Sequence, residues 1–79
     1  MLARVFVTLK PGVLDPAGKA VEHALQTLGY LEVQSARLGK YIELQLEDAD
    51  PLRARERVEE MCRKLLANTV VENYRIELG

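Results

Sequence analysis

Apolar and polar residues change period several times along the chain, and each change marks an element. Across residues 2–10 they alternate, with Val5, Val7 and Leu9 on one side and Arg4, Phe6, Thr8 and Lys10 on the other, which predicts a strand with one buried face. Lys10-Pro11-Gly12 breaks it, and Asp15-Pro16 reads as a helix start: a carboxylate for the free amides, and a proline where no amide hydrogen is needed. Val21, Ala24, Leu25 and Leu28 then fall on one helical stripe, Lys19, Glu22, His23 and Gln26 lie beside or opposite it, and Gly29 is placed to end the helix. Residues 32–38 and 41–47 are strand-like, and Gly39-Lys40 between them suits a tight hairpin. Asp50-Pro51 repeats the helix start. Its helix carries Ala54, Val58, Met61, Cys62 and Leu65 inward and Arg53, Glu56, Arg57, Glu60 and Lys64 outward, with Glu59/Arg63 and Glu60/Lys64 spaced to pair. Asn68 is placed to end it, and Val70, Tyr74, Ile76 and Leu78 make a last strand.

The order β-α-β-β-α-β predicts an α+β, ferredoxin-like split βαβ fold: a four-stranded antiparallel sheet with two helices on one face. The other face is left open, and Phe6, Tyr41 and Tyr74 are the residues whose register decides how apolar it is. At 79 residues the chain is read as a single domain, 1–79. A core this small supplies about 3–5 kcal/mol, so such chains often add a staple or a partner. One cysteine, Cys62, excludes an intrachain disulfide, and one histidine, His23, excludes an all-His/Cys zinc site. A homodimer or larger assembly, built on the sheet, is therefore expected.

Charge narrows the partners further. Eleven Lys plus Arg against twelve Asp plus Glu give a net charge of −1, so no global field gathers nucleic acid or an anionic membrane. No signal-peptide or transmembrane pattern is legible, and the expected location is the cytoplasm.

The candidate chemistry is sparse. The run from Lys10 to Lys19 places two glycines and two lysines at a helix N-terminus, a setting that favours anions. It is not a phosphate-binding Walker loop: five residues separate Gly12 from Gly18, and Ala20 stands where a hydroxyl is needed. Pro11-Gly12 as a turn and Asp15-Pro16 as a cap account for the run structurally; a small-anion site or a protein-contact loop accounts for it functionally. His23 reads as solvated, Cys62 as a small buried hydrophobe, and Ser35 has no nucleophile elbow around it. Gly39-Lys40-Tyr41 is either a turn with an edge tyrosine or a projecting contact tip. No catalytic or metal centre emerges, and no cofactor is assigned to this chain.

The run Lys10-Pro11-Gly12-Val13-Leu14-Asp15-Pro16-Ala17-Gly18-Lys19-Ala20, followed by Leu28-Gly29-Tyr30 and Gly39-Lys40-Tyr41-Ile42, closely resembles the PurS family, the small subunit of bacterial phosphoribosylformylglycinamidine synthase. The resemblance spans the whole chain, although its second half is generic. It implies a dimeric, non-catalytic subunit of a complex that makes formylglycinamidine ribonucleotide in de novo purine synthesis. In that family a glutaminase subunit releases ammonia, a large synthetase subunit binds ATP and magnesium, and the small subunit bridges them. Partner contacts are expected from Lys10, Pro11, Gly12, Asp15, Gly18, Lys19, Gly39, Lys40 and Tyr41. The alternative class is a dimeric ferredoxin-like ligand-sensing module, for which Gly12 and Gly18 are the relevant feature.

Overall fold

Ala3, Val5 and Val7, alternate residues of strand β1 (Leu2–Leu9), are fully buried, and the rest of the fold is arranged around them. In the computed structural model, which describes residues 1–47 and 50–79, β1 is the middle strand of a three-stranded antiparallel sheet. Strand β2 (Gly39–Gln45) lies on one side and β3 (Glu72–Leu78) on the other, with Val5 facing both Ile42 and Ile76. Two helices, α1 (Pro16–Thr27) and α2 (Pro51–Met61), sit in the chain order expected for the split βαβ plan.

Both helices begin as their Asp-Pro pairs require. Asp15 accepts a hydrogen bond from the Gly18 amide at 2.9 Å, and Asp50 accepts one from the Leu52 amide at 3.1 Å. Only α2 enters the core: Val58 and Cys62 pack against Ala3, Val5, Val7 and Ile76, with Ile42, Leu44, Tyr74 and Leu78 at the margin. On its outer side Glu59 pairs with Arg63 at 3.7 Å and Glu60 with Lys64 at 2.7 Å. The Lys64 ammonium, hydrogen-bonded to Glu60, holds that carboxyl below its usual range.

A π-helical turn, Cys62–Leu66, continues α2 and shifts its register, with the Ala67 amide donating to the Cys62 carbonyl five residues back. The shift changes which leucine is inside. Leu66 packs against the core, and Leu65, expected inward at α-helical spacing, is 82% exposed.

The largest difference from the sequence reading concerns residues 32–38. Glu32 lies in a turn and residues 33–38 run on without turn or bend but join no strand, so the described residues form three strands rather than four, and no hairpin turns at Gly39-Lys40. The chain runs straight from this segment into β2, where Gly39 faces Thr8 and Lys40 faces Val7. Gly39 is needed for close approach: a Cβ there collides with the Val7 carbonyl oxygen.

Residues 33–38 instead lie along α1. Gln26 donates to the Val33 carbonyl at 3.0 Å, and the Leu38 amide donates to Asp15 at 3.2 Å. Between them, a Cβ on Gly18 would stand 2.5 Å from the Ala36 carbonyl oxygen. The stripe Gly18, Glu22, Gln26 is thus the helix face turned to its own chain, and Gly18 and Glu22 are the buried residues of α1. Val21, Ala24, Leu25 and Leu28 are left outside the hydrophobic core. Helix and extended segment together form an arm, and the radius of gyration, 15.8 Å, exceeds the value of about 12 Å expected for a compact chain of this length.

On the open sheet face Phe6 and Tyr41 stack with centroids 5.1 Å apart, and the Arg75 guanidinium lies 4.2 Å from the Phe6 ring centroid. Tyr74 belongs to the other face, beside Val7.

Candidate contact site at the base of the arm

The loop from Lys10 to Asp15 is fixed by its backbone. The Lys10 amide donates to the Val71 carbonyl at 2.8 Å, the Val13 amide returns to the Lys10 carbonyl at 3.1 Å, and Gly12 takes φ +86°. A left-handed residue inside a four-residue turn is where glycine is required, which accounts for Pro11-Gly12. Against this loop the extended segment brings Ser35, Ala36 and Arg37, and the two enclose an open concavity of about 410 Å³.

Six of the nine residues singled out from the sequence converge here. Lys10, Pro11, Gly12, Asp15 and Lys19 line the concavity, and Gly18 is buried at the adjoining contact between helix and arm. The other three do not. Gly39 and Lys40 open β2, and Tyr41 lies on the opposite sheet face with Phe6. Lys40 is committed internally: its Nζ donates to the Leu66 carbonyl at 3.3 Å and lies 3.9 Å from Glu72. It supplies a cation to the end of the helical turn Cys62–Leu66, where carbonyls lack partners.

Sequence reasoning missed Glu22, Ser35 and Arg37, all of which line the concavity. Polar residues at four-residue intervals, Gly18, Glu22 and Gln26, were the available signal that α1 presents a second face.

The electrostatics of the concavity are uneven. Asp15 is used by the Gly18 and Leu38 amides, and Glu22, 7% exposed, pairs with Lys19 at 3.2 Å. The side chains of Lys10 and Arg37 form no ion pair or hydrogen bond among the described residues. The lining therefore carries three cations, Lys10, Lys19 and Arg37, against two carboxylates, a net formal charge of +1, and two of the cations have no ionic partner among the described residues.

Elsewhere, Cys62 is fully buried, and desolvation pushes its thiol pKa up, away from nucleophilic use. His23 is exposed. Among the described residues no three His, Cys, Asp or Glu side chains gather as a metal site would require, and no helix is long and apolar enough to cross a membrane.

Residues 2–79 match the family model for PurS, phosphoribosylformylglycinamidine (FGAM) synthase. Phosphoribosylformylglycinamidine synthase subunit PurS of Synechocystis is 56% identical over 75 residues, covering 95% of this chain and 75% of that protein. The Bacillus subtilis subunit of the same name is 55% identical, with 95% and 88% covered. Among solved structures, Thermotoga maritima PurS superimposes with a TM-score of 0.88 at 36% identity, over 96% of this chain and 87% of that one. A chain in the structure of PurLQS from the same organism gives 0.84 at 35%, with 98% and 96% covered.

Proposed function

Because the chain belongs to the PurS family, we propose that it is a non-catalytic subunit of phosphoribosylformylglycinamidine synthase, bridging a glutaminase and an ATP-dependent synthetase. The complex would convert formylglycinamide ribonucleotide, ATP and glutamine to formylglycinamidine ribonucleotide in the cytoplasm. ATP and magnesium would be held by the synthetase, with no cofactor on this chain.

The family match over residues 2–79 carries this reading, and the solved PurLQS assembly, which contains a chain of similar fold, supports a role in a complex. The side chains suit docking better than chemistry. The thiol is buried, and the carboxylates of the concavity are occupied by internal partners. A bridging part has a physical purpose: ammonia released into water takes a proton and is lost as a nucleophile, so glutaminase and synthetase sites must be docked across a sheltered, poorly hydrated route.

The reading includes a homodimer. Its support is the arm, where Leu28, Tyr30 and Leu31 are 73%, 52% and 79% exposed beside the open stripe of α1, while among the described residues the largest fully buried side chains are Val5, Val7, Val58 and Cys62. A second copy laid on the arm would supply the burial that one chain lacks.

Reconstitution of the synthetase and glutaminase with and without this chain tests the bridge. Glutamine-driven synthesis is expected to collapse without it, while ammonium-driven synthesis persists; equal glutamine-driven rates would overturn the proposal. Sedimentation equilibrium reads the dimer directly. A thermal shift of the isolated protein with amino acids or nucleotides, together with failure to bind the two other subunits, would instead favour a ligand-sensing module.

A further inference from the structure

The concavity at the base of the arm carries one excess positive charge, with Lys10, Lys19 and Arg37 set against Asp15 and Glu22. Its two carboxylates are satisfied internally, Asp15 by the Gly18 and Leu38 amides and Glu22 by Lys19. Lys10 and Arg37 come from segments 27 residues apart in sequence, yet both line the same hollow without an ionic partner among the described residues. Leu14, also in the lining, is 77% exposed. Hydrogen bonds hold the scaffold from both sides: the Lys10 amide donates to the Val71 carbonyl, the Val13 amide to the Lys10 carbonyl, and the Leu38 amide to the Asp15 carboxylate. The hollow is thus preorganised, and binding into it costs little ordering.

We infer that this concavity is the docking surface for an acidic segment of a partner subunit, whose carboxylates meet Lys10 and Arg37 while an apolar side chain covers Leu14. This rests on the bridging role proposed above and assigns it a location. A protein segment fits better than a free phosphate for two reasons. The hollow is open and broad rather than enclosing, and an exposed leucine on its lining has no use in holding a small anion but serves as an interface anchor. Lys40, although part of the family-like sequence, is excluded from the surface because its ammonium is engaged by the Leu66 carbonyl and Glu72.

The test is calorimetric titration of the protein into the purified synthetase–glutaminase pair at two salt concentrations. Lys10→Glu and Arg37→Glu are each expected to weaken binding about tenfold and to flatten its salt dependence. Leu14→Ala is expected to weaken it about fivefold at both salts. Unreactive Cys62 thiol in each variant shows that the core remains formed. If wild type binds and all three variants bind within twofold of it, the docking surface is overturned while the bridge stands; if wild type does not bind, both fall. Arg37-dependent binding of inorganic phosphate or ATP to the isolated protein, with partner binding unaffected by Arg37→Glu, would overturn it in favour of a small-anion site.

Discussion

The two oxygens of the Asp15 carboxylate serve different parts of the chain: one accepts from Gly18 at 2.9 Å and caps α1, and the other accepts from Leu38 at 3.2 Å, 23 residues away. A helix cap is thereby also the fastening of the extended segment, and it sets the distance between the Lys10 loop and Arg37.

Replacing Asp15 should separate these duties. Asp15→Ala is expected to cost about 1–2 kcal/mol and to raise hydrogen exchange at both Gly18 and Leu38. Asp15→Asn keeps one carbonyl oxygen, so one of the two amides should stay protected while the other loses its acceptor. Amide exchange by nuclear magnetic resonance distinguishes the outcomes; equal protection at Leu38 in all three proteins would contradict the fastening.

Gly18→Ala tests the same contact sterically. In an open helix this change stabilises by up to about 1 kcal/mol, but here the added methyl meets the Ala36 carbonyl and the Asp15 carboxylate at 2.5 Å. Overpacking should win, with a net loss of about 1–3 kcal/mol in urea unfolding.

The chemistry of local structure was readable from the sequence, and the pairing of distant segments was not. Asp15-Pro16 and Asp50-Pro51 announced both helices because caps are local, and the alternation around Val5 announced the central strand. Residues 32–38 look like a strand, but α1 takes up backbone groups that a strand neighbour would use, through Gln26 and Asp15. Gly39 was read as a turn glycine because close approach to Val7 leaves the same mark in a sequence as a tight turn does. Of the candidate site, the half that lies on one continuous loop was found, whereas Arg37 needed the fold to bring it across.

The π turn gives an inverted leucine pair. Leu66→Ala should cost about 1–3 kcal/mol, since its side chain packs on the core, whereas Leu65→Ala should fall within about 0.5 kcal/mol of wild type. A regular α-helix through this stretch would give the opposite order, so thermal unfolding of the two variants reads the register.

Cys62 should resist alkylation in the folded protein and react only on unfolding, because its thiol is buried and its pKa raised by desolvation. The sign of the pH effect follows. The folded state holds the thiol proton more tightly than the unfolded one, so this contribution to stability is complete below the ordinary thiol pKa, about 8.5, and is lost as pH rises through the folded value. Urea midpoints for wild type should therefore fall more steeply above pH 8.5 than those for Cys62→Ala, at a lower absolute stability for the variant.

Lys40 and Lys10 make the sharpest comparison, because both belong to the family-like sequence and only Lys40 is bound within its own chain. Lys40→Glu removes the donor to the Leu66 carbonyl and sets a second carboxylate near Glu72, which should lower the melting temperature by a few degrees, the equivalent of about 1 kcal/mol. Lys10→Glu touches no internal partner among the described residues and should leave it within about one degree. In binding to the other subunits the order should reverse, with Lys10→Glu the more harmful. Lys40→Met, which keeps the stem and removes the charge, separates the causes: it should recover most of the lost stability if repulsion from Glu72 dominates, and little if the bond to Leu66 does. A melting temperature equally affected by Lys10→Glu and Lys40→Glu would show that the division between a structural and a docking lysine is wrong.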